Sequence, residues 1–143
     1  MPGNAFMKAL NGSHRVLLAV TRGRVGWRFG TMTVLEVTTT GRRSGQPRTV
    51  LLTSPIARDG GFVLVASKGG YPDHPDWYKN MVADPRVSVS VAGGPAKQMV
   101  ARTASADERA AMWPEVVRAY RGYASYQRRT EREIPLVVLS PVA

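Results

Sequence analysis

An eleven-residue run, Thr38-Thr39-Thr40-Gly41-Arg42-Arg43-Ser44-Gly45-Gln46-Pro47-Arg48, constrains this chain more than any other segment. It follows a β-rich stretch, places three arginines in seven positions and sets two glycines where a tight loop needs them. Glycine admits positive φ, so successive backbone N–H groups can turn inward and form an anion-binding nest. Arginine adds planar, permanently charged forks that match phosphate and carboxylate oxygens. A second turn of the same kind, Ser67-Lys68-Gly69-Gly70, again follows an apolar run, with Lys68 twenty residues beyond Arg48. Together the two read as opposite walls of one site for a polyanionic ligand. The plainer alternative is a pair of solvated basic turns.

Composition removes several chemistries. The chain has no cysteine, which excludes disulfides, thiolate metal centres and cysteine nucleophiles. Its two histidines, His14 and His74, stand 60 residues apart with no carboxylate cluster between them, so no metal site is expected. No apolar run reaches the roughly 18 residues of a membrane span, and no signal-peptide pattern opens the chain, which predicts a cytoplasmic protein. At 143 residues it can bury a core without staples. The net charge of +10 is uneven: residues 1–50 hold eight basic side chains against the single acid Glu36. That field concentrates anions without choosing among nucleic acid, anionic lipid and phosphorylated small molecules.

The pattern predicts an N-terminal helix over 5–21, with Phe6, Leu10, Leu17 and Val20 on its apolar stripe. Strands are expected at 33–38, 48–54, 62–66, 87–91, 98–103 and 134–139, with a hairpin turn at Asp59-Gly60-Gly61. A short helix is expected at 75–83, and Ser105-Ala106-Asp107-Glu108 is a capping-box start for a later one. Pro114 should kink or restart that later helix, and Pro135 should place the last strand at an edge or begin its pairing. Five or six strands in hairpin order with flanking helices predict an α+β, mainly antiparallel β-barrel, closed or nearly so. The expected division is a helical segment at 1–30 and a barrel domain at 31–143.

Over residues 33 to 141 the chain resembles the deazaflavin-dependent nitroreductases, the coenzyme F420-dependent quinone reductases of actinobacteria. The resemblance rests on the Thr38–Arg48 run, Val65-Ala66-Ser67-Lys68-Gly69-Gly70, Pro75-Asp76-Trp77-Tyr78-Lys79-Asn80, and Tyr120, Tyr123 and Tyr126 ahead of Ile134-Pro135. It implies a split β-barrel like that of flavin reductases and pyridoxamine-phosphate oxidases. It also implies hydride transfer from reduced F420 to a quinone, nitroaromatic or conjugated enone or lactone. By the same resemblance Arg42, Arg43 and Ser44 hold phosphate and tail oxygens, and Arg48 closes the loop. Thr49, Val50, Leu51, Leu52 and Thr53 run beside the cofactor, largely through backbone. Val65, Ala66, Ser67 and Lys68 form the opposite wall, and Asp76, Trp77, Tyr78, Lys79 and Asn80 cover the ring and its chain. Thr53 replaces an aromatic of some relatives, which would open the acceptor side. Charge-assisted hydrogen bonds contribute about 1.5–3 kcal/mol each, so three or four suffice for micromolar binding, about 8 kcal/mol.

The bland readings stand beside these. Trp77 suits a core as well as a ligand face, Trp113 reads as core, and His74 reads as a surface residue at a helix start more than a proton carrier. Tyr120, Tyr123 and Tyr126 recur at helical spacing and fit either a packing stripe or a lid with a catalytic phenol, Tyr123 first. The basic N-terminal helix fits a cap on the barrel or weak contact with an anionic membrane. The rival functions are a non-catalytic or flavin mononucleotide-binding split barrel and a basic nucleic-acid-binding barrel. Nucleic acid is not expected, because no strand shows paired stacking aromatics. The sequence leaves the oligomeric state open.

Overall fold

Alternation of apolar and polar residues builds most of this molecule from strands. A computed structural model describes residues 28–29, 32–91 and 93–142, with backbone alone at 28–29. The strands are β1 (Arg28–Phe29), β2 (Met32–Thr40), β3 (Pro47–Ser54), β4 (Ile56–Arg58), β5 (Gly61–Val65), β6 (Arg86–Val91), β7 (Lys97–Thr103) and β8 (Leu136–Pro141). Three helices join them: α1 (Asp76–Ala83), α2 (Ala106–Ala119) and α3 (Gly122–Arg128). Every pairing is antiparallel. β2 pairs with β1, β3 and β6, and the order continues through β7, β8, β5 and β4.

Only Pro55 separates β3 from β4, so one bent stretch of chain links the β2 side of the sheet to the β5 side. The sheet thereby curls into a split β-barrel, as expected. At the corner a proline cannot supply a ladder N–H. Ser54 takes over: its hydroxyl lies 2.7 Å from the Ile56 carbonyl and 2.8 Å from the Val63 carbonyl, and accepts from the Val63 N–H at 3.2 Å. It is 1 % exposed, so water cannot replace these bonds. Across the hairpin from this corner, Asp59 and Gly60 take φ of 57° and 75°, a turn whose twist matches the strands it joins.

Side-chain alternation sorts the core into two layers. Leu35, Val37, Val87, Val89, Met99, Ala101, Val137 and Leu139 form one face, on which Met81 of α1 is packed. Val63, Val65 and Leu136 point the other way, toward Val116 of α2 and Tyr123 of α3. The helices therefore sit where the sheet leaves a second apolar surface, and α1 sits where it can cover the first.

Several expectations change. The last strand is not an edge: β8 lies between β7 and β5, and Pro135 stands just before it, leaving only its carbonyl to accept from the Ala66 N–H. Pro114 does not restart α2, which runs as one helix over 106–119 behind the expected Ser105–Glu108 capping box. Ala110 and Pro114 are both exposed, so the carbonyl that loses its donor faces water. Eight strands are present among the described residues rather than five or six, β4 having been hidden by its three-residue length. The expected helix at 5–21 lies outside the described residues. Arg28–Phe29 already pair with Thr33 and Met32, so the sheet reaches back past residue 30.

The corner makes a measurable demand. Ser54→Ala is expected to lower unfolding free energy by about 1–3 kcal/mol, the cost of leaving buried backbone groups unpaired. Urea unfolding should show a reduced midpoint with an unchanged slope.

Candidate functional site

The Gly-Arg loop connects β2 to β3 and is shaped by its own bonds. Gly41 N–H donates to the Gln46 carbonyl at 2.8 Å and Gly45 N–H to the Gly41 carbonyl at 2.9 Å, with Gly45 at φ 70°. A side chain at Gly41 would come within 2.7 Å of the Ser44 hydroxyl. Ser44 Oγ accepts from the Gln46 N–H at 3.1 Å and from Arg48 Nη2 at 3.3 Å. Arg43 is exposed and makes no hydrogen bond or ion pair with the described residues. It is free to meet a ligand.

Arg42 is already engaged. Its backbone N–H and Nη1 both donate to Asn80 Oδ1, at 3.2 and 2.8 Å, and its Nη2 reaches Asp76 Oδ1 at 3.3 Å. Asn80 is 5 % exposed and passes its own Nδ2 proton to Thr39 Oγ1 at 3.2 Å. Arg42 thus docks the loop on α1, a structural task the sequence did not separate from anion binding.

The second turn leaves β5 at Ser67. Lys68, Gly69 and Gly70 take φ of 45°, 62° and 83°, and Ser67 ahead of them is right-handed, the alternation that forms a nest. Val65, Ala66 and Ser67 are 8, 0 and 8 % exposed, so as a wall they can offer little but backbone. Lys68 Nζ lies 3.9 Å from Asp73 Oδ2, and Lys79 of α1 lies 2.9 Å from Asp73 Oδ1. Lys79 and Lys68 together hold the Asp73 carboxyl below its ordinary pKa, the Lys79 hydrogen bond being the larger cause. Both basic turns are therefore tied to the first two turns of one helix.

The strand between the walls cannot present all its side chains. Val50 and Leu52 pack on the first core layer, while Leu51 is 3 % exposed against Val34 on the opposite face. Thr49 shares a 2.8 Å hydrogen bond with Thr38. β3 pairs only with β2 among the described residues, so its other backbone edge is what it can offer a ligand. Trp77 is half-buried against the core, and the Tyr78 hydroxyl bonds Thr103 Oγ1 at 2.9 Å, away from Asp76 and Asn80. On that far flank of α1 lies a groove of about 230 Å³ between Val82, Pro85, Ala101 and Arg102. Its cation, Arg102, is bound to both carboxylate oxygens of Glu108, at 2.7 and 2.8 Å, so the groove lacks the free charge of the two turns.

The three tyrosines gather as expected, with ring centroids 5.1 to 6.3 Å apart, but their hydroxyls differ. Tyr123 is 6 % exposed; its hydroxyl donates to Met32 Sδ at 3.6 Å and lies 3.1 Å from Thr53 Oγ1. Burial raises its pKa. Tyr123 has the surroundings of a core residue, and Thr53 holds its phenol rather than opening space there. Tyr120 and Tyr126 share a 3.2 Å bond on the outside, and partial burial with the Tyr120 bond pushes Tyr126 up to about 12. Trp113 packs against the second core layer under the guanidinium of Arg109, 4.4 Å from its ring centre.

The sequence profile of the F420H(2)-dependent quinone reductase family matches residues 13–141. The chain belongs to that family. An F420H(2)-dependent quinone reductase of Mycobacterium tuberculosis is 40 % identical over 134 residues, spanning 89 % of this chain and 87 % of that protein. A solved F420-H2 dependent reductase superposes with a TM-score of 0.67 at 40 % identity, covering 75 % of this chain and 93 % of that one. A structure described as a domain-swapped dimer matches 98 % of this chain at 34 % identity with a TM-score of 0.66. An FAD-binding protein of Mesorhizobium loti, at 14 % identity and a TM-score of 0.55, shares the fold. As a member of this F420H(2)-dependent family the chain is an oxidoreductase, and its coenzyme is F420 rather than flavin mononucleotide. No helix among the described residues is long and apolar enough to cross a membrane.

The residues present fit an anionic coenzyme: a left-handed nest, the exposed Arg43, Arg48 and the two lysines give donors and charge. One residue of this region went unnoticed in the sequence. Arg132 reaches back from the loop after α3 and donates to His74 Nδ1 at 3.0 Å, which puts the imidazole proton on Nε2. Its only sequence signal is an arginine two residues before Ile134-Pro135. Burial first, and Arg132 second, lower the His74 pKa from 6.5, while Asp73 opposes and Lys79 adds to the shift. A depressed histidine means that the unfolded chain binds the proton more readily, so stability falls as pH drops below about 6.5. Melting temperature is expected to fall more between pH 7.5 and 5.5 in the native protein than in His74→Gln.

Proposed function

We propose that this chain transfers a hydride from reduced coenzyme F420 to a quinone, with Arg43, Arg48 and Lys68 as its principal anion donors. The observation that supports this most is the tie of both basic turns to α1, through Arg42 to Asn80 and through Lys68 and Lys79 to Asp73. Two loops 20 residues apart become facing sides of one cleft, with the β3 edge between them. Bound there, the reduced coenzyme supplies the hydride, and the protein supplies position, charge and exclusion of water. The Lys68 and Gly69 amides and the cations hold the phosphate and tail oxygens. The edge of β3 and the half-buried Trp77 offer a surface for the flat ring.

A quinone that accepts a hydride also needs a proton at its oxygen. Among the three tyrosines, Tyr126 and Tyr120 carry hydroxyls outside the core, and a phenol pushed up to about 12 stays protonated at neutral pH. Tyr126 therefore replaces Tyr123 as the preferred donor of a hydrogen bond or proton to the acceptor. Nitroaromatics and conjugated enones or lactones take a hydride and a proton in the same order, and belong among the acceptors to be compared with quinones.

Fluorescence titration tests the coenzyme site. Arg43→Ala and Lys68→Gln are each expected to weaken F420 binding at least tenfold with little change in melting temperature, since one side chain is exposed and the other keeps its stem. Normal binding by both would remove the anion-site reading. The tyrosines separate by a second measurement. Tyr123→Phe should lower stability by roughly 1 kcal/mol, the worth of a buried hydrogen bond, and leave single-turnover hydride transfer unchanged. Tyr126→Phe should slow transfer tenfold or more, within the range of general acid assistance. The reverse pattern would return the role to Tyr123.

A further inference from the structure

Three successive left-handed residues are an unusual conformation to hold steady, and one of them, Lys68, has a Cβ that opposes it. The turn's own bonds are few: Gly70 N–H to the Ser67 carbonyl at 2.9 Å and Tyr71 N–H to the Lys68 carbonyl at 3.1 Å. The amides of Lys68 and Gly69 make none with the described residues, which leaves them to a ligand. Something else must fix the turn, and it comes from the opposite end of the chain.

That group is the Arg132 guanidinium. Nη2 donates to the Ser67 carbonyl at 2.8 Å, Nη1 to the Ala66 carbonyl at 3.2 Å and to His74 Nδ1 at 3.0 Å, and Nε to the Tyr71 carbonyl at 2.8 Å. One planar fork thus grips the segment before, at and after the left-handed stretch. With its carbonyls at Ala66, Ser67 and Tyr71 turned toward Arg132, the intervening amides are left facing elsewhere. Arg132 is itself held, because Gln127 of α3 donates from Nε2 to the Arg132 carbonyl at 2.8 Å and accepts from the Ile134 N–H at 2.9 Å. Gly70 completes the fit: a side chain there would meet the Tyr126 carbonyl at 2.7 Å.

We propose that Arg132 is a positioning residue for the coenzyme, setting the Ser67–Gly70 nest so that the Lys68 ammonium and the Lys68 and Gly69 amides meet the anion together. This rests on the F420 reading above and extends it to a residue that faces away from the ligand. It also links the Lys68 turn to α3 and its Tyr126, since the loop that carries Arg132 follows directly on that helix. Lysine keeps the charge but lacks the fork, so it can satisfy some of these carbonyls and not the whole set.

The test compares the native protein with Arg132→Gln, Arg132→Lys, Lys68→Gln and the Arg132→Gln/Lys68→Gln double variant, each at a temperature where it is folded. F420 fluorescence titration is expected to show a Kd raised at least tenfold by Arg132→Gln and less by Arg132→Lys, with KM for F420 more affected than kcat. The double variant should lose less than the product of the two single losses, because both act through one turn. Amide exchange at Gly70 and Tyr71, whose N–H groups are bonded within the turn, should quicken in Arg132→Gln while that of Leu64 and Leu139 stays unchanged. A folded Arg132→Gln protein with native F420 affinity, or losses that multiply independently, would overturn the inference. Should Arg132→Gln fail to fold, unchanged Kd and unchanged Gly70 and Tyr71 exchange in Arg132→Lys would overturn it instead. Native protein that does not bind F420 at all overturns the functional reading itself, and this one with it.

Discussion

The carboxamide of Asn80 is the interaction on which the arrangement of the site depends. It is buried, it accepts twice from Arg42, and it donates to Thr39 at the end of β2. An amide is suited to this because one side chain offers both an acceptor with two lone pairs and a donor. A carboxylate would lose the N–H that donates to Thr39 and bring a charge into a buried position; an apolar side chain would leave the Arg42 N–H unpaired and the Thr39 hydroxyl with only its bond to the Arg48 carbonyl. Through Asn80 the Gly-Arg loop is held against α1, and α1 is held against the barrel by Met81 and Trp77.

From that anchor the division of labour among the cations follows. Arg42 is consumed in docking, Lys79 and Lys68 share Asp73, and Arg43 has no partner among the described residues. A site for a polyanion must leave some of its charge unneutralised in the empty protein, and the two acids at Asp73 and Asp76 offset only part of it. Both acids are exposed, with side chains 62 and 76 % accessible, so their pairing with the cations is weak and readily exchanged for a ligand's oxygens. The acids then act to orient the basic side chains rather than to cancel them.

The barrel and the helices meet at the same place for a structural reason. β5 and β8 are apolar on both faces, so one face fills the barrel and the other needs a cover, which α2 and α3 supply through Val116 and Tyr123. That cover brings Tyr120 and Tyr126 to the end of β5, where the Lys68 turn begins. The closeness of the outer phenols to the Lys68 turn is thus a consequence of how the second apolar face is buried.

Much of this was legible along the chain. Period-two alternation at Val87–Val91, the Asp59-Gly60 turn and the Ser105–Glu108 box are local signals, and each became the element it implied. So did the two glycine-bearing basic turns, because positive φ is a demand that glycine meets by itself. What the sequence could not show is which charge meets which. Arg42 and Arg43 are neighbours with the same side chain, yet only the position of α1 makes one a dock and leaves the other unpaired among the described residues. Tyr123 and Tyr126 share a helical face by spacing, yet burial against Met32 and Thr53 separates them. Arg132 lies 58 residues from His74, and its grip on the Lys68 turn exists only once β8 has paired beside β5. Local conformation is set by each residue's own backbone preferences and could be read in order. Partners distant in sequence are chosen by packing, and only the folded chain decides them.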